Sequence, residues 1–390
     1  MSVTFPAGFK AAGVTAGLKV SGKPDLALVV NQGPAPAAAA VFTSNRFPAA
    51  PVQYCRQVLA AGATPTAVVL NSGGANACTG EQGMADAVAM AEAAALALGL
   101  SPDQVLVCST GMIGELLPMA KVRDGIGQAV EELADGEPAG TAAAQAIMTT
   151  DTVDKQVAVS SPAGWKIGSM AKGAGMLAPG LATMLVVLTT DAILAQADAQ
   201  AALKEATRLS FDRADSDGCM STNDTVILLA SGASGVVADP SVFTTALTFV
   251  CQRLAQLLIG DAEGAHHDIA ITVAGATSEA AAEAVGRAIA RSNLFKTAMA
   301  GGDPNWGRIL AAAGTVPAEV APYDPGRVDV TINGVTVCRG GGVGDPREGV
   351  DLSGRQVEIV VDLKVGPAQA TILTNDLTHD YVSINADYST

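Results

Sequence analysis

The stretch K-G-A-G-M-L-A-P-G-L-A-T-M-L-V-V-L-T-T, residues 172–190, changes character halfway. Residues 172–180 hold Gly173, Gly175, Pro179 and Gly180, the composition of a flexible, turn-rich approach. Residues 184–188 are an unbroken apolar run, too short for a helix and rich in Val and Leu. Such a run predicts a strand buried on both faces, the kind found inside layered α/β folds. Thr183 stands at the junction. A hydroxyl there is fixed by the strand on one side and reachable through the loop on the other, where a nucleophile is useful. Taken alone, the same threonine reads more simply as a β-branched residue starting a strand.

Outward from this point, strands and helices alternate. Residues 13–57 read as a mixed β region, with strands at 26–30 and 40–43. The apolar strand 67–70 runs into the small-residue loop N-S-G-G-A-N-A-C-T-G (71–80), and residues 83–98 form an alanine-rich helix ended by Gly99. Strand 105–108 opens into S-T-G-M-I-G (109–114), a turn able to aim backbone N–H groups into a cleft, or simply to start a helix. Residues 140–148 are helical. Segments 153–160 and 165–171 pair around Pro162-Ala163-Gly164. Beyond the central stretch come helix 195–209, the polar loop 215–225, a buried strand at 226–230 and a long helix over 241–259. The acidic loop 215–225 matches a calcium loop only weakly and reads as structural. Asp261 and Glu263 lie between glycines just before strand 269–273, and a carboxylate on such a loop is a ligand-site candidate.

In the last third, 278–291 is a helix and G-G-D-P-N-W-G-R (301–308) caps the next one. Asn333-Gly334 marks a hairpin within 328–337. Segments 357–362 and 368–373 read as a second strand pair. Gly340 to Gly344 lacks the Gly-Lys-Ser/Thr of a phosphate loop. The tail from Tyr381 to Thr390 keeps an alternating pattern.

Composition narrows the function. The 390 residues are 49% hydrophobic and 16% charged, with a formal charge of −15, a globular make-up with room for two domains. The acidic balance and the lack of basic clusters argue against nucleic acid and anionic membranes. No signal-like N-terminus and no apolar run near membrane length stand out, which points to the cytoplasm. Six scattered cysteines, without a C-x-x-C pair, read as reduced thiols. The three histidines form no ligand pattern, and no G-x-S-x-G elbow occurs. A hydroxyl nucleophile here therefore needs a base other than histidine.

Taken together, V-F-T-S-N-R (41–46), the 71–80 and 109–114 loops, A-I-M-T-T-D-T (146–152), A-K-G-A-G-M-L-A-P-G-L-A-T-M-L (171–185), S-T-N-D-T (221–225), D-P-N-W-G-R (303–308) and the tail resemble the glutamate N-acetyltransferase (ornithine acetyltransferase) family of arginine biosynthesis. The likeness spans almost the whole chain. Departures from its pattern fall at Gly74, at Cys219-Met220 and at His266-His267.

The resemblance implies an αββα layered sandwich of the self-cleaving threonine-nucleophile type over 1–240, with a smaller α/β domain over 241–390. It implies cleavage between Ala182 and Thr183, giving an α chain 1–182 and a β chain 183–390 assembled as α2β2. Thr110 and Gly111 would form the oxyanion hole. Thr149, Lys172, Thr183, Glu263, Asn385 and Thr390 would contact substrate: Lys172 the α-carboxylate, Glu263 the ornithine δ-ammonium, Asn385 and Thr390 closing the pocket. The implied reaction carries acetyl from N2-acetylornithine to glutamate through an acetyl-Thr183 intermediate, without metal or cofactor. Whether acetyl-CoA also serves as donor stays open. Two other readings stand beside it: a self-processing aminopeptidase or amidase of related fold, and a non-catalytic binding protein with an intact chain.

Overall fold

The computed structural model describes residues 2–177 and 184–387; Ala182, Thr183 and Thr390 lie outside them. The apolar run after residue 183 is strand β8 (Leu185–Thr190), buried at every position. It lies inside a five-stranded sheet ordered β3-β9-β8-β7-β6. The other members are β3 (Ala37–Phe42), β6 (Lys155–Ser160), β7 (Lys166–Lys172) and β9 (Thr225–Ala230). β8 is antiparallel to β7, with Lys172 opposite Leu185, and parallel to β9, with Leu185 opposite Thr225.

A strand turns successive side chains to opposite faces, and both faces of this sheet are apolar. Leu185 and Val187 of β8 and Ile227 and Leu229 of β9 enter one core. Val186, Leu188, Val226 and Leu228 enter another. The first core is shared with a four-stranded sheet ordered β1-β2-β4-β5. Its strands are β1 (Phe9–Val14), β2 (Leu26–Asn31), β4 (Ala67–Asn71) and β5 (Val105–Ser109). Helices α1 (Ala50–Ala60), α2 (Gly80–Leu98), α3 (Met119–Glu131) and α4 (Glu137–Ala146) add Val58, Met90, Ile126 and Ala143 to that core. The second core is closed by α5 (Gln196–Arg208) and α6 (Pro240–Gly260). The layers run helix, sheet, sheet, helix, as expected. Helix α1 falls inside the region read as β from sequence; Pro51 in its first turn and buried Val52, Tyr54, Cys55 and Val58 make it helical.

A third core belongs to a six-stranded sheet ordered β13-β12-β11-β14-β10-β15. It comprises β10 (Asp268–Ala276), β11 (Asp329–Ile332), β12 (Val335–Arg339), β13 (Gly342–Val343), β14 (Gln356–Asp362) and β15 (Ala368–Asn375). Helices α7 (Glu279–Ala290), α8 (Asn293–Ala300) and α9 (Trp306–Ala313) pack on it. The Asn333-Gly334 hairpin joins β11 to β12, with φ of 43° and 84° at the turn. Asn305 caps α9 by accepting from Arg308 N.

Three expectations change. Segments 356–362 and 368–375 are strands but not partners: β10 lies between them, parallel to β14 and antiparallel to β15. The tail is helix α10 (His379–Asp387), not an extended alternation. The division after residue 240 cuts off α6, whose Phe243, Leu247, Val250 and Leu254 lie in the sandwich core. That packing also accounts for the apolar character of α6, which among the described residues matches a membrane span in length and hydropathy.

Candidate active site

The site residues collect where β7 ends and β8 begins. Lys172, the last residue of β7, is 1% exposed, and its Nζ donates to Thr110 Oγ1 at 3.3 Å. Burial lowers the Lys172 pKa, opposed chiefly by the Asp151 carboxylate. Because Thr110 Oγ accepts from an ammonium, its own hydrogen is free to donate elsewhere. Thr110 is fixed at the end of β5: its N–H reaches Asn71 O at 3.0 Å and its carbonyl receives Gly74 N at 3.1 Å. The following Gly111 has φ +132°, and a Cβ there would stand 2.7 Å from Gly74 N. Its N–H has no acceptor among the described residues. Thr110 hydroxyl and Gly111 N–H thus form two adjacent uncommitted donors beside a buried cation, the arrangement that a developing oxyanion requires.

The approach from Lys172 to Leu177, expected to be flexible, is pinned residue by residue. Gly173 N donates to Asp151 Oδ1 at 2.7 Å. Ala174 O receives Glu263 N at 2.9 Å. Gly175 lies against the Glu263 carboxylate, 2.8 Å from where a Cβ would be. Met176 N donates to Asp217 Oδ2 at 2.7 Å, and Leu177 O receives Ser216 N at 2.5 Å. On the far side, Met184 N donates to Asp224 Oδ1 at 2.9 Å. Carboxylates distant in sequence supply what a glycine-rich segment cannot supply for itself.

Asp151 is the hub. It accepts from Thr149 N at 2.9 Å, Gly173 N and Lys155 Nζ at 2.6 Å. Burial raises its pKa, but the Lys172 and Lys155 ammonium groups outweigh that and hold it at about 2. Lys155, itself 0% exposed, also meets Asp261 at 2.6 Å. Removing one partner of a buried ion pair costs about 3–5 kcal/mol, so Lys155→Met should lower Tm markedly at neutral pH. Asp151's pKa is depressed in the folded state, so its contribution is present above the usual carboxylate pKa of about 3.9 and lost as pH falls toward 2. The Tm gap between wild type and Lys155→Met should therefore narrow below about pH 4; a gap constant with pH would remove Asp151 from this role.

Glu263 gathers a second cluster. Its Oε1 accepts from Thr150 Oγ1 at 2.8 Å and its Oε2 from Asn385 Nδ2 at 3.0 Å. A carboxylate has about four lone-pair sites, so both oxygens can accept again from a ligand cation. Asn385 belongs to α10, which the segment before β10 holds through His266 Nε2 and Asp380 at 2.8 Å, while His267 Nδ1 meets Asp376, just ahead of the helix, at 2.8 Å.

Of the residues expected from sequence, Lys172 meets Thr110, which precedes Gly111, and feels the charge of Asp151; Thr149 meets Asp151, and Glu263 meets Asn385. Thr149 is an exposed neighbour of the hub, while Thr150 makes the contact to Glu263. Thr183, Ala182 and Thr390 fall outside the described residues. Sequence reasoning passed over Asp151, Thr150, Lys155, Asp217 and Asp224. Asp151 and Asp224 stand in the quoted motifs T-T-D-T and S-T-N-D-T, and their signal was an acidic residue in an otherwise small and neutral string. A surface cavity of about 330 Å³, lined by Val41, Phe42, Ser44, Arg208, Asp212 and Arg287 among others, includes none of these residues.

The profile of the ArgJ family matches residues 10–390. Over 390 residues the chain is 59% identical to the arginine biosynthesis bifunctional protein ArgJ of Bifidobacterium longum, covering 100% of both chains. It is 58% identical over 389 residues to the protein of the same name from Streptomyces coelicolor, again covering 100% of both. Among solved structures, it is 54% identical to an ornithine acetyltransferase complexed with ornithine from Mycobacterium tuberculosis. That match covers 47% of this chain and 96% of the other, at a TM-score of 0.45.

Proposed function

The chain belongs to the ArgJ family, and from that premise we propose that Thr183 carries acetyl from N2-acetylornithine to glutamate after cleavage of the Ala182–Thr183 bond. The chain is an acyltransferase of arginine biosynthesis acting on small molecules. The observation that most supports the proposed chemistry is the Lys172–Thr110 pair beside Gly111. Those donors lie at one end of the segment that carries Thr183.

Cleavage frees the α-amine of Thr183. With a reference pKa of about 7.7–8.0, it can be neutral near working pH and serve as the base that histidine does not supply. Thr183 Oγ attacks the acetyl carbonyl, the oxyanion develops against Thr110 Oγ and Gly111 N–H, and ornithine leaves. Glutamate enters, its amine attacks the ester, and N-acetylglutamate departs. Every step is redox-neutral and balances with the two substrates alone. Lys172, buried against Thr110, acts through that hydroxyl, a role its burial favours over direct contact with a substrate α-carboxylate.

The two cut chains would stay together. In the five-stranded sheet, β3, β6 and β7 come from 1–182 and β8 and β9 from 183–390. The β7–β8 and β3–β9 ladders therefore cross the cut. Pairing of two such units as α2β2, a cytoplasmic setting and the use of acetyl-CoA as a second donor belong to this reading.

Glu263 distinguishes the substrates. A charge-assisted hydrogen bond is worth about 1.5–3 kcal/mol, so Glu263→Gln should raise KM for acetylornithine roughly 10–100-fold. KM for glutamate should change little. Equal effects on both substrates would remove Glu263 from the δ-ammonium. The reaction itself is tested by rapid quenching with N2-acetylornithine and mass mapping, which should find acetyl on the peptide starting at Thr183. Acetate release that does not depend on glutamate would favour the hydrolase instead. Acetyl-CoA with glutamate alone tests the second donor.

A further inference from the structure

Self-cleavage needs a base before the α-amine of Thr183 exists, because in the uncut chain that nitrogen is an amide. Asp224 is 0% exposed and stands at the mouth of β9, level with the start of β8. Its Oδ1 accepts from Met184 N at 2.9 Å, the amide that joins Thr183 to β8. Its Oδ2 is buried, and no donor among the described residues meets it in hydrogen-bonding geometry, although the Ser221 hydroxyl lies near the carboxylate. Buried carboxylate oxygens are nearly always satisfied, and an unsatisfied one calls for an explanation.

The surroundings are rigid. Asp224 O receives Thr43 N at 2.9 Å, and Met184 O receives Thr225 N at 3.2 Å. The preceding Asn223 donates to Ala75 O at 2.5 Å and to Ser109 O at 2.8 Å. Asn223 thereby ties this corner to the strand end that presents Thr110. A carboxylate held this firmly on the Met184 amide, the next peptide bond along from the proposed cut, with one oxygen uncommitted, can act as a base for the residue that precedes Met184.

We infer that Asp224 is the general base of self-cleavage, taking the Thr183 hydroxyl proton on Oδ2 while Oδ1 holds the Met184 amide. This rests on the proposed Ala182–Thr183 cleavage. Thr183 Oγ bonds to the Ala182 carbonyl carbon, the carbon–nitrogen bond breaks, and Asp224 passes its proton to the departing nitrogen. Water then hydrolyses the ester, leaving the Ala182 carboxylate and the Thr183 hydroxyl and amine. Burial raises the Asp224 pKa well above the carboxylate range, while the Met184 N–H, Lys172 and the Ser221 hydroxyl pull it back and Asp212 raises it further. A base with a raised pKa accepts a hydroxyl proton more readily than an ordinary carboxylate.

The test is Asp224→Asn in the full-length chain, which keeps an oxygen for Met184 N and removes the base. It should melt cooperatively near the wild-type temperature yet cleave at least about 100-fold more slowly. Hydroxylamine, which traps esters, should not speed it, since no ester forms. Asp224→Glu, keeping a carboxylate, should cleave faster than Asp224→Asn. Cleavage of Asp224→Asn at the wild-type rate would overturn the inference and leave the acetyl-transfer reading intact. Wild-type protein that transfers acetyl while uncut would instead overturn the cleavage reading. Should Asp224→Asn fail to fold, cell-free synthesis of the wild-type chain gives the answer without a variant. Cleavage should then rise with pH through a group above the carboxylate range, and a flat profile between about pH 5 and 9 would exclude Asp224.

Discussion

Thr183→Ala should yield one uncut polypeptide that releases no ornithine from N2-acetylornithine, a loss on the order of 10⁶-fold in kcat. Both effects have one origin. The same oxygen is proposed to open the Ala182–Thr183 bond and to carry the acetyl group, so its removal stops maturation and turnover together. Thr183→Ser separates hydroxyl chemistry from side-chain packing: it keeps the oxygen and should still cleave. The fold should tolerate either change, because β8 begins at Leu185 and is held by its ladders to β7 and β9. A denaturing gel and an ornithine-release assay read the two consequences side by side. Normal ornithine release by Thr183→Ala would show that another group carries the acetyl.

The second large effect is expected at the oxyanion site. Thr110→Ala removes one donor, which typically costs about 10²–10³-fold in kcat. It also leaves the buried Lys172 ammonium without the oxygen it now meets at 3.3 Å. KM should move far less than kcat, because the donor acts on charge present only during reaction. Gly111→Ala attacks the same feature through the backbone. A Cβ 2.7 Å from Gly74 N, at φ +132°, forces the 109–114 turn to shift and carries the Gly111 N–H out of line. Both variants should also cleave slowly, since attack on the Ala182 carbonyl develops an oxyanion too. An effect confined to KM in Thr110→Ala would exclude the assignment.

Local chemistry was legible wherever the deciding residues were neighbours in sequence. The run 184–188 read as a buried strand because nothing but a sandwiched sheet dries both faces of such a segment, and β8 is buried throughout. Asn333-Gly334 announced its hairpin through the positive φ that the turn demands. What escaped depends on partners far along the chain. Segments 357–362 and 368–373 read as a strand pair, but β10 lies between them, and no local pattern records an inserted strand. The tail alternates in sequence yet is helical, docked through His266 to Asp380 and Glu263 to Asn385. The glycines of 173–175 suggested mobility, whereas Asp151 and Glu263 hold that backbone from 22 and 88 residues away, counting from Gly173 to Asp151 and from Gly175 to Glu263. The same logic hid the site's acidic residues. Asp151 and Asp224 reveal their importance only once the backbone amides they satisfy are in place around them.

The proposed activity depends on a broken peptide bond that would leave two chains interleaved in one sheet. Intact-mass measurement of catalytically active protein under denaturing conditions tests it most directly. Two masses are predicted, matching residues 1–182 and 183–390, the second beginning at Thr183 with a free amine. A single mass for the whole chain in fully active material would contradict it.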